Sequence, residues 1–69
     1  MINCDLYIDG EKIDSLFQFI EIPHKGEYIY LEGYGEFKVS KVRRYFRESK
    51  GVYKWFPDEM PPDVFLISK

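Results

Sequence analysis

Few residues of this chain are of a type that does covalent or acid–base chemistry. His24 and Cys4 are the single histidine and the single cysteine. Nucleophilic catalysis requires a nucleophile beside a base that a third group orients. The neighbours of His24 are Pro23 and Lys25, so His24 reads as a solvated turn residue. The carboxylate pairs Asp5/Asp9, Glu11/Asp14 and Asp58/Glu59 would serve proton transfer only in a cleft that shifts their pKa values, and all fall in or beside turn signals. Gly33-Tyr34-Gly35 lacks the third glycine and the following helix of a phosphate loop. A zinc site takes about four ligands, of which Cys4 and His24 would supply two without a recognisable spacing. The expectation is a protein with no catalytic residue, no metal and no cofactor, in which Cys4 is a small buried apolar residue.

Non-covalent chemistry is better represented. The stretch KVSKVRRYFRESKGVYKWF, residues 38–56, holds seven Lys/Arg, one acidic residue and five aromatics. It carries +6, whereas the rest of the chain carries −8 from three basic and eleven acidic residues. Guanidinium forks bind phosphate bidentately and flat rings stack on bases. Lys38, Lys41, Arg43, Arg44, Tyr45, Arg47, Tyr53, Lys54 and Trp55 are therefore the candidate ligand or partner contacts, with Lys50 beside them. The whole chain is nevertheless acidic, with a pI near 5.3, which disfavours a dedicated duplex DNA binder with a broad basic face.

The elements that must hold these residues are short and extended. Asp9-Gly10 is a two-residue hairpin turn; Pro23-His24-Lys25-Gly26, Gly33-Tyr34-Gly35 and Ser49-Lys50-Gly51 are further turns. Pro57–Pro62 is a loop. Between them lie strand-like runs at Ile2–Ile8, Ser15–Ile22, Tyr28–Glu32, Glu36–Arg47, Val52–Phe56 and Val64–Ser68. Ile13, Leu16, Phe17 and Ile20 have helical spacing, but the aromatic and β-branched residues at 17–22 favour a strand. Val42 follows Val39 by three positions, which breaks the period of two and predicts a β-bulge near Ser40-Lys41. For the basic hairpin, a four-residue loop at Glu48–Gly51 sets Arg44 against Trp55 and Tyr45 against Lys54. A two-residue turn would oppose Arg47 to Lys54, a destabilising like-charge pair, so the wider loop is expected. These elements predict an all-β chain forming one domain, residues 1–69, a small antiparallel barrel of five to six short strands.

Several strands are apolar on both faces. Tyr28 and Tyr30 oppose Ile29 and Leu31, and Val64–Ile67 is apolar throughout. So small a barrel encloses one face per strand, and soluble monomers rarely show large apolar patches. Tyr28, Tyr30, Phe65 and Ile67 are therefore the expected self-association residues of a homodimer or larger assembly.

The segment Ile22–Val42, IPHKGEYIYLEGYGEFKVSKV, resembles a pattern common in SH3-like small barrels. Pro23 and Gly26 open a turn, Ile29 and Leu31 alternate inward, Gly33 or Gly35 turns the chain, and Phe37, Val39 and Val42 begin a long bent strand. The resemblance covers about a third of the chain. It implies a fold and no particular activity, since small barrels host many functions.

Function follows as an expectation from the surface. The sequence suggests a non-enzymatic, self-associating binding module whose hairpin at residues 38–56 contacts a partner protein or an anionic small molecule. An inhibitor or sequestering protein, such as a phage-encoded accessory protein, fits this description. The alternatives are a nucleotide or single-stranded nucleic-acid binder, and a structural assembly subunit. No run reaches the roughly 18 apolar residues of a membrane helix, the N-terminus lacks signal-peptide features, and a lone cysteine fits a reducing compartment. A cytoplasmic location is expected, in the host if the protein is phage-encoded.

Overall fold

Glycine turns and a break after Arg43 organise the chain in the computed structural model, which describes residues 1–13 and 17–68. Eight strands result: β1 (Ile2–Ile8), β2 (Glu11–Lys12), β3 (Phe17–Phe19), β4 (Tyr28–Leu31), β5 (Gly35–Arg43), β6 (Phe46–Ser49), β7 (Val52–Trp55) and β8 (Asp63–Ser68). The protein is all-β, as its composition implied, and no helix occurs among the described residues. Asp9 and Gly10 take φ of 49° and 88° and reverse β1 into β2, with Ile8 opposite Glu11. Positive φ at both turn positions matches the right-handed strand twist. Phe17–Phe19 is extended and pairs with Ile2–Cys4, so its aromatic content outweighs the helical spacing; Ser15 and Leu16 lie outside the described residues.

The main sheet runs β2-β1-β8-β5-β4, with β3 also paired to β1. The sheet is mixed where a wholly antiparallel one was expected: β1 and β8 are parallel, with Leu6 opposite Val64 and Ile8 opposite Leu66. Parallel neighbours need a long connection, and here nearly the whole chain intervenes. The described ladders end at β2 and β4 and do not close into a ring. The bulge falls where the slipped periodicity placed it, between Val39 and Lys41, so that Phe37, Val39 and Val42 all lie against the core.

One face of this sheet makes the core. Cys4 and Leu6 of β1, Phe37 and Val39 of β5, Val64 and Leu66 of β8, and Ile22 are buried together. Leu6, Val39 and Val64 are fully inaccessible. Phe17, Phe19, Ile29, Leu31 and Trp55 pack around them. Desolvation drives this arrangement, at about 1.5–3 kcal/mol for each fully buried aliphatic side chain.

β6 and β7 form a sheet of their own and share no ladder with another strand among the described residues, although Trp55 at the end of β7 packs against the core. They make a projecting arm, and the molecule measures 43 × 21 × 21 Å. The radius of gyration, 12.9 Å, exceeds the roughly 11 Å of a compact chain of this length. The expected single run Glu36–Arg47 is interrupted, because β5 leaves the main sheet at Arg43 and β6 begins at Phe46.

Candidate functional site

The arm is built on a tighter turn than its charges suggested. Arg47 stands opposite Lys54, Glu48 opposite Tyr53 and Ser49 opposite Val52, which leaves Lys50-Gly51 as a two-residue turn. Their φ values, 52° and 79°, are those of a type I′ turn. The wider loop was expected to avoid the Arg47–Lys54 pairing. That pairing is tolerated because Arg47 finds other partners: Glu59 at 2.6 Å and the ring of Phe56 at 5.2 Å. The Glu48 carboxylate accepts the Gly51 N–H at 2.8 Å and secures the turn.

The expected contact residues separate into three places. Lys38, Lys41 and Arg43 lie on the outer face of β5, opposite Ile67, Phe65 and Asp63 of β8. Arg44, Tyr45 and Trp55 stand at the root of the arm, where the Arg44 guanidinium lies 5.4 Å from the Trp55 ring. This guanidinium–indole pair is the one the sequence suggested, although in a different register. Arg47, Lys50, Tyr53 and Lys54 are on the arm itself, and all are exposed. The Trp55 Nε1 is buried without a hydrogen-bond partner among the described residues.

The expected self-association residues do share a face. Directly opposed residues of a ladder project to the same side. Tyr28, Lys38 and Ile67 therefore form one row, and Tyr7, Phe65 and Lys41 the next. Tyr7 and Phe65 stack at 4.7 Å between ring centroids. Lys41 and Arg43 sit 4.4 and 5.2 Å from the Phe65 ring, and Lys38 is 5.9 Å from that of Tyr28. Tyr30, at 71% exposure, and Ile67, at 42%, are open to solvent, and Phe65 is half-buried. Tyr7 belongs to this face and was not singled out from sequence; strand alternation with Asp5 and Asn3 was the available signal.

At the root, Asp63 is buried and accepts a hydrogen bond from the Tyr45 hydroxyl. That bond raises the Tyr45 pKa, while the Arg43 guanidinium, 3.5 Å from the same oxygen, opposes it. Cys4 is buried in the core, and burial, reinforced by Asp5, pushes its thiol up to about 11. A thiol so held is a poor nucleophile at neutral pH.

A concave feature of the surface lies beside β5. It has a volume of about 380 Å³ and is lined by Pro23, His24, Lys25, Lys41, Val42 and Arg44. The turn that carries His24 and Lys25 is fastened to β5: Gly26 N–H donates to the Val39 carbonyl at 2.8 Å, and Val39 N–H donates to that of Glu27 at 2.9 Å. His24 N–H donates to the Glu27 carboxylate at 3.0 Å. His24 and Lys25 were not among the expected contacts; a basic pair inside a Pro-Gly turn was the only sequence signal. Among the described residues, no group of three His, Cys, Asp or Glu could hold a metal ion, and no helix is long and apolar enough to cross a membrane.

Fold and surface together define a small all-β protein with a mixed sheet, a detached basic hairpin and a cationic concavity at its root. Comparison with known protein families, curated proteins and solved structures gives no match to the chain.

Proposed function

We propose that the protein is a non-enzymatic binding module that associates with further copies of itself and presents its β6–β7 arm as a contact surface for protein. One observation carries this reading. The arm leaves Phe46, Val52 and Tyr53 at 55, 52 and 68% exposure, with no strand paired to either of its edges among the described residues. A lone two-stranded hairpin is marginally stable in water, so a second surface laid on those side chains and free edges stabilises it.

Charge supports a second copy as that surface. The arm bears Arg47, Lys50 and Lys54 against Glu48, whereas residues 27–36, which include the edge strand β4, bear Glu27, Glu32 and Glu36 and no basic residue. Opposite potentials favour the arm of one copy against the β4 rim of another. The adjoining outer face, with Tyr28, Tyr30, Phe65 and Ile67, extends the same surface. A protein of this kind acts by occupying a surface, as inhibitors and sequestering proteins do. A lone buried thiol suits action in a reducing cytoplasm.

Native mass spectrometry of the full chain tests the reading. Wild type, whose single chain is 8.3 kDa, is expected as a dimer or larger species, and the Phe46→Ser/Tyr53→Ser variant as a monomer. A monomeric wild type refutes self-association, and a variant that still assembles removes the arm from the interface.

A further inference from the structure

We infer that the concavity beside β5 is a binding site for a phosphorylated small molecule carrying at least two negative charges, held by Lys25, Lys41 and Arg44 with His24 as an added donor. None of these four residues lies on β6 or β7, although Lys41 borders the outer face through Phe65 and Arg44 meets the arm through Trp55.

Three observations carry the inference. The first is the charge of the lining: of its six residues, Lys25, Lys41 and Arg44 are cationic, His24 offers ring nitrogens, and none is acidic. The second is that these cations lack carboxylate partners. Among the described residues the ion pairs are Lys12–Asp5 and Arg47–Glu59. Glu27, the acid of the adjoining turn, is engaged by the backbone N–H of His24. Three cations line the concavity, and Glu27, whose hydrogen bond from His24 leaves its charge in place, offsets at most one of them; a bound anion relieves the remainder.

The third observation is that the site is held in shape. Lys41 rests on the Phe65 ring at 4.4 Å and Arg44 on the Trp55 ring at 5.4 Å. The rings orient the two cations without neutralising them. Lys25 is positioned from the other side by the exchange of hydrogen bonds between Gly26, Glu27 and Val39. A volume of about 380 Å³ lies in the range of roughly 300–1,000 Å³ usual for small-molecule sites. It exceeds the needs of a single phosphate and suits a diphosphate or a phosphate ester. The Arg44 fork supplies paired N–H donors for two phosphate oxygens, while Lys25 and Lys41 act as point charges.

The test is a titration of the full chain with inorganic phosphate, pyrophosphate and ADP, followed by backbone amide chemical shifts at an ionic strength of about 0.01 M and again at about 0.15 M. Pyrophosphate and ADP are expected to bind saturably and more tightly than phosphate, moving the amides of His24, Lys25, Lys41 and Arg44, and to weaken as salt rises. Lys25→Glu and Lys41→Met are each expected to lower affinity about tenfold or more; the second variant keeps an apolar chain on Phe65, so its fold is retained. The native mass of each variant, read in parallel, separates this site from assembly. The inference is overturned if shifts are non-saturable, if they fall on Lys50 and Lys54 instead, or if both variants bind as wild type does. It is also overturned if a single-stranded oligonucleotide binds more tightly than pyrophosphate and shifts the whole arm, which would make the surface a nucleic-acid site.

Discussion

Arg47 and Lys54 face each other across the β6–β7 hairpin, and Arg47 turns out of that pairing to reach Glu59 at 2.6 Å. The arm therefore depends on a loop residue for relief of a repulsion internal to its own ladder. Both side chains of the ion pair are more than half exposed, so the pair is worth about 0–1 kcal/mol.

Lys54→Glu is expected to turn the repulsion into a cross-strand attraction of about 0.2–1 kcal/mol. Amide exchange over Phe46–Ser49 and Val52–Trp55 then slows by up to about fivefold, while Glu59→Gln speeds it. Because the arm shares no backbone ladder with the main sheet among the described residues, exchange in β1, β5 and β8 is expected to stay as in wild type. Equal changes in both sheets would show that the arm and the main sheet open together.

Local signals were legible and non-local ones were not. Asp9-Gly10 announced its turn, the three-residue step from Val39 to Val42 announced the bulge, and the small apolar character of Cys4 marked it as buried. Each depends on neighbours within a few residues. The Lys50-Gly51 turn was misjudged because Glu59, which takes up Arg47, lies twelve residues further on in a loop. The parallel pairing of β1 with β8 joins the two ends of the chain, and nothing in either strand encodes direction. The concavity escaped notice for the same reason: Lys25 meets Lys41 and Arg44 only through the hydrogen bonds between Gly26, Glu27 and Val39. Alternation did place Tyr28, Phe65 and Ile67 on one face, since the period of two is a property of every strand.

Leu6 sits at the centre of the core, at 0% exposure and opposite Val64. Leu6→Ala removes its packing within the core cluster, at a cost of about 2–5 kcal/mol. Total stability of such domains is about 5–15 kcal/mol. The variant is expected to melt far below wild type, or to be unfolded at 25 °C by circular dichroism. Ile20→Ala, at a side chain 82% exposed, is expected to leave the melting temperature unchanged.

Asp9 links the first turn to the last strand. Its carboxylate accepts the Ser68 N–H at 3.0 Å and the Ser68 hydroxyl. Those bonds favour the ionised form and lower its pKa from 3.8. A carboxylate whose folded pKa is depressed contributes stability that is present above its unfolded pKa and is lost as pH falls through the folded one. Asp9→Asn tolerates the positive φ of this position while removing the charge. Wild type is thus expected to melt higher than Asp9→Asn at pH 6, with the gap closing below pH 3.8. A gap that persists undiminished in acid would assign the effect to turn geometry.

The opposite sign holds at the root of the arm. Tyr45 donates to the buried Asp63 carboxylate, and that bond raises the phenol pKa above its ordinary 10.0. A group with a raised folded pKa stabilises fully below its unfolded value and loses that contribution as pH rises through the folded one. Tyr45→Phe deprives Asp63 of its donor and leaves a buried carboxylate short of a partner, an arrangement that is costly in a poorly hydrated site. At pH 7 it is expected to lower the melting temperature more than Tyr53→Phe, whose hydroxyl is on the open arm and 68% exposed as a residue. Above pH 10 the difference between Tyr45→Phe and wild type should shrink as the phenol ionises, and the absorbance of the phenolate reports that step directly. Tyr45 ionising in step with the exposed tyrosines would mean that its bond to Asp63 is not formed in solution.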